Sequence, residues 1–234
     1  MSVYYLSPTP VFPSPEDADP DGLLAVGGDL SPERLLAAYE NGIFPWYNEY
    51  SPILWWSPTP RLILEPKDLH ISKSLRRLIN KNPFEITLDR DFSGVIHACA
   101  YTRRPDGLGT WLVPEMIRAY IKLHRLGFAH SIEAWQDDKL VGGMYGLSLG
   151  RAFFGESMFY RVSGASKLAI VYLVRALHTW GFDFLDCQQT TRHMLQFGAR
   201  EVCREVFLRL LEKSLAYPTC QGAWTENRSP ERLV

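Results

Sequence analysis

The order of elements between residues 130 and 188 restricts the fold more than any other feature of this chain. HSIEAWQ (130–136), LVGGMYGLSL (140–149) and AFFGESMFY (152–160) are three strand-like runs, joined only through Asp137-Asp138 and Gly150. Links that short predict an antiparallel meander. A helical run, GASKLAIVYLVRALHTWG, starts near Gly164 and stops at Gly181, ahead of a further strand, FDFLDCQ (182–188). A helix between two strands makes them parallel neighbours through a right-handed crossover. The strand 152–160 is therefore expected to lie parallel to, and beside or near, the strand 182–188. A short helix around 191–197 and a final strand near 202–210 complete the expected order.

Upstream, residues 1–20 are rich in proline and acid, and their spacing suits an extended segment. LSPERLLAAYENG reads as a helix, with Ser31 as its cap, Pro32 in the first position and Asn41-Gly42 at its end. IFPWYNEYSPILWWSPTPR sets three tryptophans among prolines that oppose a regular helix. It is either a rigid loop whose tryptophans cap the core or an aromatic platform for a flat ligand. ISKSLRRLINK (71–81) is an amphipathic helix with Lys73, Arg76, Arg77 and Lys81 on one face and Ile71, Leu75, Leu78 and Ile79 on the other. PEMIRAYIKLHRL (114–126) is another helix, stopped by Gly127.

Composition narrows the partners. The formal net charge of the 234 residues is −1, so nucleic acid would have to be bound by a local patch. The 71–81 helix offers one, since its outward charges are all positive. The four cysteines form no CxxC pair and the six histidines show no zinc-ligand spacing, so no metal is expected. Free thiols, a start without a signal peptide and the lack of any membrane-length apolar run predict a soluble cytoplasmic protein with no membrane partner.

Strand alternation puts Ala152, Phe154, Glu156 and Met158 on one face, and Phe182, Phe184, Asp186 and Gln188 on one face of the next strand. Polar groups thus gather near the C-terminal ends of two parallel strands, where such sheets open a crevice. Glu156, Asp186 and Gln188 are the candidate constellation. The alternative is that Glu156 is a structural carboxylate, paired with an arginine or a backbone donor. Gly142, Gly143, Met144 and Met158 read as a soft-walled apolar slot or as plain core. There is no G-x-S-x-G and no Walker loop, and no cysteine–histidine pairing follows from spacing. An enzyme of this kind would position two reactants without a covalent intermediate.

The element order resembles the GNAT-type acyltransferase fold, whose parallel central strands splay around the acyl donor. A coenzyme A-dependent N-acetyltransferase is therefore one alternative. Its pyrophosphate loop is only partly matched by Arg161, Gly164 and Ser166. A non-catalytic RNA-binding module is another. It accounts for the basic helix and the aromatics, but not for three polar residues converging beside an apolar slot.

More specifically, GGDLSP, GIFPW, LWWSP, GESMF and DCQ occur in that order, together with LHISKSLRR and GTWLVPEMIRAYIKLHRLGFAHSIEAW. From about residue 11 to about residue 200, the chain resembles the leucyl/phenylalanyl-tRNA–protein transferases. The resemblance implies an α+β chain, with a small N-terminal α/β domain (1–62) and a GNAT-like acyltransferase domain with a mixed, mostly antiparallel sheet (63–234). It implies transfer of leucine or phenylalanine from aminoacyl-tRNA to proteins with N-terminal Arg or Lys, marking them for degradation, without a cofactor. A monomer is expected. By position, Trp46, Trp111 and Tyr120 match residues around the tRNA 3′-adenosine. Met144, Phe153, Gly155, Met158, Ile170 and Leu185 match the aminoacyl side-chain pocket. Glu156, Asp186 and Gln188 match catalytic and acceptor-binding positions. Lys73, Arg76, Arg77 and Lys81 would meet the tRNA backbone. Phe153 and Gly155 alternate with Glu156, so both faces reach one cleft only if the strand twists or bulges at Gly155.

Overall fold

The proline-rich start runs extended, as its spacing requires. In the computed structural model, which describes residues 3–102 and 112–224, its first strand is Tyr4–Leu6 (β1), paired in parallel with Leu23–Gly27 (β2). Ser31 caps the helix Pro32–Glu40 (α1) by accepting the Arg34 N–H at 3.3 Å, and Asn41 closes it. The tryptophan–proline segment is not a loop throughout. It forms the short strands Phe44–Pro45 (β3) and Leu54–Trp56 (β4), completing a four-stranded sheet of order β1-β2-β4-β3. Trp55 is buried in the core, whereas Trp46 and Trp56 meet edge to face at 5.7 Å nearer the surface.

The larger sheet contains Arg61–Leu64 (β5), Glu85–Leu88 (β6), Ala129–Gln136 (β7), Lys139–Leu149 (β8), Ala152–Tyr160 (β9), Phe184–Gln188 (β10) and Arg200–Val202 (β11). Its order is β11-β5-β10-β9-β8-β7-β6. β7, β8 and β9 form the expected meander. Within this sheet, among the described residues, only β9 and β10 run parallel, because the helix Ala165–Thr179 (α5) carries the chain across one face between them. The helix Lys73–Lys81 (α2) packs on the same face as α5, through Leu75 and Ile79. Phe92–Tyr101 (α3) and Pro114–Arg125 (α4) cover the opposite face together with α1. Arg192–Leu195 (α6) is a single turn after β10.

The expected strand near 202–210 is corrected. β11 ends at Val202, and Arg204–Leu215 is a helix (α7). Phe207, Leu211 and Ser214 are its buried residues, at helical spacing, and they face the core beside α1. A short apolar run such as VFLRLL fits either period; the burial of one helical stripe decides it. β6 and α3 are further elements that the apolar pattern alone does not reveal.

Two irregularities open the sheet. The β9–β10 ladder stops at Phe154↔Asp186. Beyond it, β10 shifts register against β5, and Gln188 takes a left-handed backbone (φ 60°). In β9, Gly155 pairs with Gly146 and Ser157 with Tyr145, so Glu156 is the extra residue of a bulge. The bulge reverses the alternation beyond it. Phe153 and Met158 pack on the α5 side, and Phe154 and Phe159 on the other. Met158 therefore does not share a face with Phe154, contrary to simple alternation. Gly146 is required at the bulge, since a Cβ there would lie 2.2 Å from the Phe154 carbonyl oxygen.

Candidate active site

A cavity of about 580 Å³ opens where β9 and β10 part. Glu156, pushed out by the bulge, lies at its wall. Tyr39 of α1 donates to Glu156 Oε1 at 2.6 Å, Tyr120 of α4 to Oε2 at 3.1 Å, and Gln188 Nε2 to Oε1 at 2.8 Å. The two hydroxyls lie 2.5 Å apart. Both phenols are fully buried, and burial beside Glu156 holds their pKa well above the usual tyrosine value, so they remain donors. Burial also pushes Glu156 up to about 7, helped by the nearby charge of Asp186; the bonds from Tyr39, Tyr120 and Gln188 oppose that rise. Two phenolic protons cannot serve all three contacts of the Glu156–Tyr39–Tyr120 triangle while Glu156 is ionised. A proton on Oε2 completes the ring, with Glu156 donating to Tyr120, Tyr120 to Tyr39 and Tyr39 to Oε1. The protonated form thus satisfies every contact of the triangle and the ionised form two of the three, and the carboxyl group is suited to exchange a proton near neutral pH.

Asp186 does other work. Its carboxylate is fully buried and gripped by Arg61, with Nε to Oδ1 at 2.9 Å and Nη2 to Oδ2 at 2.6 Å. The guanidinium lies between the rings of Phe44 and Phe207, at 4.8 and 4.5 Å, and donates to the Gly42 carbonyl. Asp186 Oδ1 also accepts the Gln188 backbone N–H at 2.8 Å. Asp186 is held by Arg61 and, through the Gln188 backbone N–H, anchors the kinked backbone from which Gln188 reaches Glu156. The amide nitrogen of Gln188 is engaged, so its oxygen is the end left to receive a hydrogen bond.

Met144, Gly155, Met158 and Leu185 line the apolar side of the cavity. A Cβ on Gly155 would stand 3.2 Å from Leu185 Cδ1 and 3.5 Å from Met144 Cε, so glycine keeps this wall open. Phe153 and Ile170 are fully buried and stand outside the lining, in the core packed around α5. Trp46 lines the cavity and is 38% exposed. Tyr120 contributes through its hydroxyl. Its ring is enclosed beside Tyr145, 5.5 Å away, and offers no face for stacking; only its hydroxyl serves the site. Trp111 lies outside the described residues.

Lys73, Arg76, Arg77 and Lys81 are all exposed on α2, and among the described residues no carboxylate pairs with them. Leu78 of α2 packs against Gly164 at the start of α5, whose Ser166 lines the cavity. The helix α2 therefore lies near one end of the site, through the face opposite its cations. Among the described residues no group of three His, Cys, Asp or Glu could hold a metal ion, and no helix is long and apolar enough to cross a membrane.

Sequence reasoning did not single out Tyr39 or Arg61. Each carries a readable signal: a polar side chain at a buried periodic position. Tyr39 follows Leu35 by one helical turn on the buried face of α1, and Arg61 opens the wholly buried strand RLIL.

Known proteins bear on this arrangement. A family model described as leucyl/phenylalanyl-tRNA protein transferase matches residues 63–212, and one for the N-terminal domain of the same transferase matches residues 28–59. The leucyl/phenylalanyl-tRNA–protein transferase of Desulfatibacillum aliphaticivorans is 56% identical over 225 residues, covering 96% of this chain and 97% of the relative. That of Anaeromyxobacter sp. (strain Fw109-5) is 57% identical over 224 residues, covering 96% and 95%. Among solved structures, a GCN5-related N-acetyltransferase from Kribbella flavida superposes with a TM-score of 0.39 at 14% identity, covering 74% of this chain and 61% of that one, too slight a likeness to weigh. On the family models and the close relatives, the chain belongs to the leucyl/phenylalanyl-tRNA–protein transferase family.

Proposed function

We propose that this protein transfers leucine or phenylalanine from aminoacyl-tRNA to the α-amine of proteins that begin with Arg or Lys, marking them for degradation in the cytoplasm. The observation that carries the reading is Glu156, tuned to about 7 and set between a splayed strand pair and an apolar slot. Met144, Gly155, Met158 and Leu185 receive the leucyl or phenylalanyl side chain, and Trp46 receives the terminal adenine. Stacking on an indole is worth about 1–3 kcal/mol and suits any base. The exposed cations of α2 meet phosphates, which position the RNA without reading its sequence.

The donor ester is already activated. The acceptor nitrogen attacks the carbonyl carbon, an N–C bond forms and the C–O bond to the ribose breaks. One proton leaves the amine and one joins the departing ribose oxygen. An α-ammonium has a pKa of about 8. Glu156 lies close enough to that value to take the first proton and return it. Gln188 Oε1 accepts a hydrogen bond from the attacking amine and aims it, and Asp186 with Arg61 is a positioning pair behind Gln188. Orientation of this kind is worth about 7 kcal/mol or more. The coenzyme A alternative rests on the fold alone. Incubation with labelled Leu-tRNA and peptides starting with Arg or with Ala tests the proposal. Label on the Arg peptide only is the expected result; label on neither, or equally on both, refutes it.

A further inference from the structure

A second hollow, of about 360 Å³, adjoins the catalytic cavity at the end of α3, and Thr102 lines both. Its other walls are Gly94, His97, Ala98 and Tyr101 of α3, and Arg161 just after β9. Arg161 is exposed, donates to the Leu140 carbonyl at 3.1 Å, and stands over the Phe159 ring at 5.6 Å. Among the described residues no carboxylate pairs with it. His97 Nδ1 lies 2.7 Å from the Ser93 carbonyl, a contact that needs an N–H, so the neutral ring keeps Nε2 as an acceptor. Its ring is stacked loosely on Tyr101, which is 71% exposed.

A guanidinium, two exposed rings and, among the described residues, no acid make a poor seat for a cationic peptide and a good one for a nucleotide, whose phosphate seeks the cation and whose base seeks a ring face. Location agrees. The loop 161–164 leads from this hollow to Gly164, beneath Leu78 of the basic helix α2. We propose that the hollow binds the nucleotide preceding the terminal adenosine of the donor RNA, with Arg161 on its phosphodiester and Tyr101 and His97 against its base. The RNA then passes from the cavity through this hollow to α2. This inference rests on the cavity taking an aminoacyl-adenosine end.

The test compares two minimal donors at fixed acceptor: leucyl-adenosine, which lacks the phosphodiester, and leucyl-cytidylyl-adenosine. In the unmodified protein the dinucleotide should show a KM about tenfold lower, within what one stacked base supplies. In Arg161→Ala and Tyr101→Ala the ratio of the two KM values should fall toward one. A dinucleotide advantage that survives both substitutions overturns the assignment, as does no advantage in the unmodified protein. A rise in the KM of the acceptor peptide in place of the donor's assigns the hollow to the acceptor and also overturns it. Failure of the unmodified protein to use Leu-tRNA at all refutes the proposed function itself, which is a distinct result.

Discussion

Replacing Tyr39 by Phe removes one hydroxyl and little volume, and it should move the pH at which the enzyme works. In the folded protein Glu156 titrates at about 7, because burial raises its pKa more than its hydrogen bonds lower it. The Tyr39 bond, at 2.6 Å, is among those that favour the ionised form. A hydrogen bond to a charged group is worth about 1.5–3 kcal/mol, and 1.36 kcal/mol corresponds to one pKa unit, so its loss should raise Glu156 by about 1–2 units. The sign follows from which form is bonded more strongly: Tyr39 donates to both, but its bond to the charged carboxylate is the stronger, so losing it disfavours ionisation and the proton is released at higher pH. If the carboxylate takes the proton of the amine, the acid limb of the kcat profile should move from near pH 7 to about 8–9, with a loss at pH 7 of about 5- to 50-fold. The rate should recover as the pH rises. The assay is single-turnover transfer from Leu-tRNA at saturating Arg-peptide between pH 5.5 and 9.5, paired with the carbon-13 shift of the Glu156 carboxyl. A limb that stays in place while the carboxyl titration moves would show that Glu156 is not the proton acceptor. A carboxyl titration that also stays in place would refute the account of how its pKa is set.

Three further expectations follow from the same geometry. Arg61→Met leaves Asp186 as an uncompensated buried charge and should cost about 3–5 kcal/mol in denaturant unfolding, with much of it restored by adding Asp186→Leu. Gly155→Ala sets a methyl group 3.2 Å from Leu185 Cδ1 in the apolar wall, so it should lower kcat/KM for Phe-tRNA by about tenfold, about 1.4 kcal/mol, and Leu-tRNA less, with unfolding little changed. Neutralising Arg76 and Arg77 together should reduce the slope of log affinity for aminoacyl-tRNA against log salt by about 2, while thermal unfolding is unaffected because both side chains are exposed.

Local rules were sufficient for much of this molecule. Ser31 caps its helix, with Pro32 in the first position, because the residue types and spacing at that point leave few alternatives. The meander and the parallel pair of the larger sheet follow from two short links and one long one. Glu156 and Gln188 could be singled out as polar residues on apolar strands. The helix over 204–215 was less legible, since its short apolar run suits either period until the burial of Phe207 and Leu211 selects one.

What the site is made of depends on contacts that no local rule contains. Tyr39 and Tyr120 lie 81 residues apart in the chain, yet their hydroxyls meet at 2.5 Å over Glu156. Arg61 and Asp186 are separated by 125 residues and share one buried pair. By itself the sequence determined the order of elements between residues 130 and 188, the positive face of α2 and the family. The tertiary structure decided that β9 bulges at Glu156, that Asp186 supports the site from behind, and that Glu156 holds its proton to about pH 7. The reason is physical. Register, burial and the partners of a charge depend on which distant surfaces pack together, and a carboxyl pKa measures that environment, not the residues beside it in the chain.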